Sequence, residues 1–183
     1  MNWPNSIVIL LAAYVAVFLQ VSFNGFRHLL GAQIDLLPAL MVYTGLTSGL
    51  AMIALVALFG GLCLDALSGN LLGISVLPLL LIGSLIYQKR EVILHEEVYA
   101  QFVLGFGASA LAPVLTLISL LGAGASPVIG WGSLWQWLVM AAGGAAFTPV
   151  CFVLFERLKR AFHHPPLAEM SFRPDREIKR GRQ

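Results

Sequence analysis

The sequence predicts an all-α, polytopic membrane protein: a bundle of six transmembrane helices with both termini in the cytoplasm. Three observations lead there. Apolar residues make up 58% of the 183-residue chain and charged ones only 11%, against about 45–50% and about 25% in water-soluble domains. The charges are also segregated. Of 20 charged side chains, 12 lie in the last 28 positions and five more between Lys89 and Glu97, leaving Arg27, Asp35 and Asp65 for everything else. Between them run apolar stretches of bilayer-crossing length, about 17–25 residues for ~30 Å of hydrocarbon. Such a chain cannot build a water-facing surface. A soluble enzyme, a nucleic-acid-binding domain and a disordered protein are excluded.

The first span covers 7–23. It has no basic residue ahead of it and no small-x-small cleavage site, so a removable signal peptide is not expected. A connector with Arg27, His28 and Asp35 follows. The apolar run 36–67 is too long for one helix, and TGLTSG (44–49) supplies a break, because Gly, Ser and Thr favour turns. We read 36–46 as a short second helix and 50–67 as a third. A single span over 38–61 is the competing five-helix reading, which would turn the N-terminus outward. The fourth span covers 71–87 and ends at QKREVILHEE. The fifth covers 98–121 and contains Pro113, a candidate kink. The Gly-rich connector 122–132 leads to the sixth span, 134–155. This divides the chain into a transmembrane domain, 1–155, and a basic cytoplasmic tail, 156–183.

Orientation follows from the bias of Lys and Arg towards cytoplasmic loops. The tail carries eight basic and four acidic residues, and Lys89 and Arg90 sit between the fourth and fifth spans. Six spans place both regions on one side, together with the N-terminus. Trp131, Trp135 and Trp137 then mark the outer boundary, Tyr87 and Tyr99 the inner one. Arg157, Lys159 and Arg160 meet anionic headgroups, at about 1 kcal/mol each near the surface, and Pro165-Pro166 stops the helix. Cys63 and Cys151 fall in opposite leaflets, too far apart to bridge.

Asp65 is the exceptional residue, since a carboxylate at mid-bilayer costs about 2.5–3.5 kcal/mol. Its position near the outer end of the third helix lowers that cost. There it can accept hydrogen bonds from the Ser68-Gly69-Asn70 turn. Ligand or proton binding is the alternative role. Small residues on the fifth and sixth helices, including Gly105, Ser109, Gly143 and Gly144, let backbones approach closely. They either hold the bundle together or dock another membrane protein. No paired carboxylates, catalytic triad order, phosphate loop or metal-ligand spacing occurs. His95-Glu96-Glu97 reads as an exposed loop and His163-His164 as a solvated pair, so neither an enzyme nor a cofactor is expected.

The stretch ALFGGLCLDALSGNLLGIS (57–75) resembles the signature of the rod shape-determining protein MreD family: helix glycines, then Leu-x-Asp-x-x-Ser-Gly and Leu-Gly. QIDLLPALMVYTGL (33–46) is similar to the family's Pro-Asp-Leu-Leu opening of its second helix, with Ile34 in place of the usual proline. The family's basic residues after that helix are missing from TGLTSG. The resemblance implies a multi-pass protein of the bacterial inner membrane, a non-catalytic scaffold of the cell-elongation complex. It would pair with the bitopic protein MreC and act near actin-like MreB, a glycosyltransferase and a transpeptidase in lateral peptidoglycan synthesis. Asp65, Ser68, Gly69 and Gly73 would organise the outer hairpin. The alternative is a substrate-binding membrane subunit of an energy-coupling, vitamin-type transporter. That class matches the size, and Ala12-x-x-x-Ala16 faintly resembles its docking motif. It would need an outward pocket with convergent polar groups, for which Asp65, Asn70, Asn24, Arg27 and Gln33 are available.

Overall fold

The computed structural model describes residues 3–22, 31–69, 71–91, 98–124 and 130–162. Among these the chain forms six α-helices and no strand: α1 (Trp3–Ser22), α2 (Leu37–Thr47), α3 (Leu50–Ser68), α4 (Val76–Lys89), α5 (Val98–Gly122) and α6 (Trp131–Phe162). Three of them, α3, α5 and α6, are long and apolar enough to cross a membrane; α1 over Ser6–Ser22, α2 and α4 are shorter apolar helices. Leu11 and Phe18 on α1, Leu55 and Leu62 on α3, Phe106 on α5, and Leu138 and Val153 on α6 face outward. A water-soluble monomer keeps its bare apolar patches to a few hundred Å². A chain that is apolar on its outside is built for lipid.

Side-chain neighbours give the direction of each helix. Gly60 of α3 lies under Leu37 of α2, and Gly61 under Val76 of α4, so α3 runs against both. Gly45 of α2 meets Ile86 and Gly83 of α4, and Gly83 meets Met41. These two helices run side by side in one direction, as alternating connections require. In α5 and α6, Gly105 meets Thr148 and Ser109 meets Gly144, an antiparallel register. The bundle therefore has two distinct ends. Described basic residues Lys89, Arg90, Arg157 and Arg160 follow the C-terminal ends of α4 and α6 to one of them. Trp131, 87% exposed, and Trp135 mark the other.

The core is α2. Every residue from Leu37 to Leu46 is buried, as befits a helix that is apolar on all sides. Tyr43 stacks on Phe155 with ring centroids 4.2 Å apart and meets Phe152 edge-on at 5.1 Å, fastening α2 to α6. On α1 the packed seam is Ile9, Ala13 and Val17, and Ala12 and Ala16 lie beside it, half-buried.

Several boundaries differ from those expected. The break after α2 is confined to residues 48–49. Thr44 and Thr47 remain helical, and their hydroxyls donate to the Leu40 and Tyr43 carbonyls, at 2.8 Å each. The single 38–61 helix is thereby replaced by two. The fourth helix begins at Val76 rather than 71, because the chain first makes turns at 72–75 with Gly73 at φ +94°. The sixth helix begins three residues before the expected span, at Trp131, and runs on past 155 to Phe162, as expected of the first stretch of the tail. An exposed i,i+4 pair, Glu156–Arg160, at 3.5 Å lies on this extension. Helix α5 continues unbroken through Pro113. Both cysteines are free. Asn24, Arg27, His28, Asn70, the 95–97 cluster, His163-His164 and the rest of the tail lie outside the described residues.

Candidate functional site

Two polar clusters occupy the same end of this apolar bundle, and both combine residues near helix ends with residues of the connecting turns. The first is the α3–α4 hairpin. Helix α3 stops at Gly69, whose left-handed backbone (φ +69°) lets its N–H bond the Asp65 carbonyl. Glycine suits this position because a Cβ is strained there. The Asp65 side chain, completely buried, then reaches forward across the turn. Its Oδ2 accepts the N–H groups of Gly73 at 2.9 Å and Ser75 at 3.1 Å, and its Oδ1 accepts the Ser75 hydroxyl at 2.5 Å.

Asp65 therefore organises the turn through Gly73 and Ser75. Of the expected donors, Gly69 spends its N–H on the Asp65 carbonyl and Ser68 lies on the exposed side, while Asn70 falls outside the described residues. Gly73 carries a functional part of the knot, since its positive φ aims its N–H back at Asp65.

The second cluster lines a cavity of about 300 Å³ between the helix ends. Gln20 comes from the end of α1, Gln33 and Asp35 from the connector before α2, and Ser68 and Ser75 from the hairpin. Thr116 belongs to α5 and Gln136 to α6; Leu117, Leu120 and Met140 supply the apolar wall. Gln136 closes a reciprocal pair with the Gln33 backbone: its Nε2 donates to the carbonyl at 2.8 Å and its Oε1 accepts the N–H at 3.1 Å. The Gln33 Nε2 donates to the Gln20 carbonyl at 3.4 Å, and Gln20 Oε1 accepts from the Leu36 N–H at 3.3 Å. Trp137 adds a bond from its indole N–H to the Ala110 carbonyl at 2.8 Å, in the turn before Pro113.

Among the described lining residues Asp35 is the charged one. Its Oδ1 accepts the Leu37 N–H at 3.1 Å. Burial pushes its carboxyl up to about 6, against the opposing pull of that N–H and the Gln20 side chain. The native carboxyl thus keeps its proton to higher pH than the unfolded one, whose ordinary value is 3.8. Its contribution to stability is greatest below that value and falls as pH rises through about 6. Asp35→Asn is expected to raise the unfolding midpoint of the solubilised protein at about pH 7.5 and barely move it at about pH 4. An equal shift at both pH values would show that this half-buried charge has no such cost.

The expected helix-packing residues all lie in internal contacts. A Cβ on Gly105 would collide with Thr148 and one on Gly144 with Ser109, whereas one on Gly143 would stand 2.7 Å from Ile34 in the α1–α2 connector. Of the basic surface group, Arg157 and Arg160 project from the far end of α6, and nothing is described for the Lys159 side chain. No three of His, Cys, Asp and Glu come together among the described residues. Gln20, Ser75, Thr116 and Gln136 do not stand out in the sequence. A polar side chain inside an apolar span is the signal that could have found the two glutamines. Compared with protein-family models, curated proteins and solved structures, the chain matches none of them.

Proposed function

We propose that this chain is a non-catalytic membrane scaffold of the bacterial cell-elongation complex, of the MreD type. It would span the inner membrane six times with both termini in the cytoplasm. The observation that carries this reading is the knot at Asp65. The stretch on which the MreD resemblance rests folds into a hairpin whose carboxylate spends its hydrogen bonds on its own turn. A group so occupied shapes a surface instead of reacting. Leu67, Leu71 and Leu72 stand exposed around that rigid turn, available to a bitopic partner such as MreC. The shared end of Lys89, Arg90, Arg157 and Arg160 supports a cytoplasmic assignment for it. Anionic lipids would meet it there, and MreB, the glycosyltransferase and the transpeptidase belong to the assembly so formed.

Depleting the protein in a rod-shaped host should round the cells, and in mild detergent it should co-purify with a bitopic partner. Normal rods after depletion would sink the proposal. The six-span topology makes its own claim: a cysteine placed at residue 28 should react with an impermeant reagent from outside the cell, and reaction only from the cytoplasm would overturn it. A second reading, the vitamin-binding transporter subunit, is favoured by one observation, the polar cavity. A vitamin recovered with the purified protein would select it.

A further inference from the structure

The cavity walls have a chemical bias. Most of their donors are already committed: both ends of the Gln136 amide to Gln33, the Gln33 Nε2 to Gln20, the Thr116 hydroxyl to the Ala112 carbonyl and the Ser75 hydroxyl to Asp65. What remains is mostly acceptor. A carboxylate offers about four lone-pair sites; at Asp35 one is taken by the Leu37 N–H and another by Gln20. The Gln33 amide oxygen and the Thr116 oxygen add more. No basic side chain pairs with Asp35 among the described residues. A half-buried carboxylate with acceptor sites to spare suits a cation rich in N–H donors.

Size and the apolar part of the lining narrow the class. The cavity of about 300 Å³ lies at the small end of the ~300–1,000 Å³ typical of ligand sites. It is far larger than a bare metal ion needs. Leu117 and Met140 add apolar surface to the same lining. We propose that this cavity is a binding site for a primary ammonium group carrying a short apolar body, with the ammonium on Asp35 and the body against Leu117 and Met140. The ammonium belongs either to a free small amine or to the headgroup of an aminophospholipid. This site is independent of the scaffold role, because the isolated chain contains all of it.

The test uses the full-length protein in detergent, titrated with n-pentylammonium and, separately, with n-pentanol, its uncharged counterpart. The amine should raise the unfolding midpoint by about 2–4 °C or more at saturation, and the alcohol should not. Asp35→Asn keeps an acceptor for the Leu37 N–H and should abolish the response. Met140→Phe, which fills the apolar side, should abolish it too while leaving Asp35 in place. Asp35 is the only titratable side chain among the described lining residues, with Asp65 behind Ser75, so the response should fade below about pH 6. For the lipid source, vesicles of phosphatidylcholine with added phosphatidylethanolamine replace the detergent. A stabilisation there that Asp35→Asn removes, without any response to the free amine, assigns the ammonium to the headgroup. Equal shifts from pentanol or sodium, a response unchanged in Asp35→Asn, or no response to amine and headgroup alike overturns the site. Co-purification with the bitopic partner, followed on the same variants, reports on the scaffold role separately.

Discussion

Asp65→Ala is expected to remove most of the folded protein. The substitution strands the Gly73 and Ser75 N–H groups and the Ser75 hydroxyl, all of which now end on one fully buried carboxylate. Hydrogen bonds to a charged group are worth about 1.5–3 kcal/mol each, and a buried donor left unpaired costs about 1–3 kcal/mol. Three such donors on one turn are not additive, and a combined loss of about 3–5 kcal/mol is a large share of the ~5–15 kcal/mol that stabilises a domain. Asp65→Asn keeps the shape and one acceptor but turns an amide N–H₂ towards donors, so it should fall between wild type and alanine. Gly73→Ala weakens the same knot from the other side, at about 1–3 kcal/mol for a non-glycine residue held in a sparsely populated backbone region. The readouts are the monodisperse fraction after size-exclusion chromatography and the unfolding midpoint in detergent. If Asp65→Asn folds as well as wild type but no longer binds a partner, the carboxylate is a recognition group and not an organiser of the turn.

The second large effect lies in the α5–α6 seam. At Gly105 an added Cβ would stand 2.7 Å from the Thr148 Cβ and 2.8 Å from the Gly144 carbonyl oxygen; at Gly144 it would collide with the Ser109 side chain. A backbone carbonyl cannot step aside as a flexible side chain can. Gly105→Ala should therefore cost about 3 kcal/mol, the upper end of ordinary overpacking. Gly144→Ala should be as damaging alone. It should be partly rescued by Ser109→Gly, which removes the atoms it meets. Gly107, two residues from Gly105, has open space where a Cβ would stand, with nothing within 4 Å. Gly107→Ala should leave stability unchanged or raise it by up to about 1 kcal/mol. Thermal unfolding of these variants separates the ideas: if Gly105→Ala and Gly107→Ala behave alike, the seam does not hold the bundle.

The two effects differ in how far the primary structure anticipates them. Asp65 stands out because it is one of only three charges between residues 1 and 88, and its place beside Ser68-Gly69 already points to a turn. Which donors it takes depends on the path of residues 71–75, and Gly73 and Ser75 become its partners only once that path folds back over the end of α3. The small residues of α5 and α6 are visible as a pattern. Their pairing, Gly105 with Thr148 and Ser109 with Gly144, follows from an antiparallel register that periodicity does not specify.

Composition and charge placement by themselves determined that the chain is helical and apolar on its outside. They also located the helix ends to within a few residues, because burial in lipid demands long uncharged runs and internally satisfied backbones. Tertiary structure alone decided that α2 is the enclosed centre, since an all-apolar helix looks the same whether protein or lipid surrounds it. It alone decided the cavity as well. Gln33 and Gln136 are separated by 103 positions along the chain, and no local pattern links them. They meet because two helix ends and a connector converge where the apolar seams run out. There the backbone leaves its helices, and its N–H and C=O groups must find polar side chains to bond. Asp35 matters for the same reason: in the sequence it is one more connector charge, and the fold makes it the one carboxylate among the described residues that line this cavity.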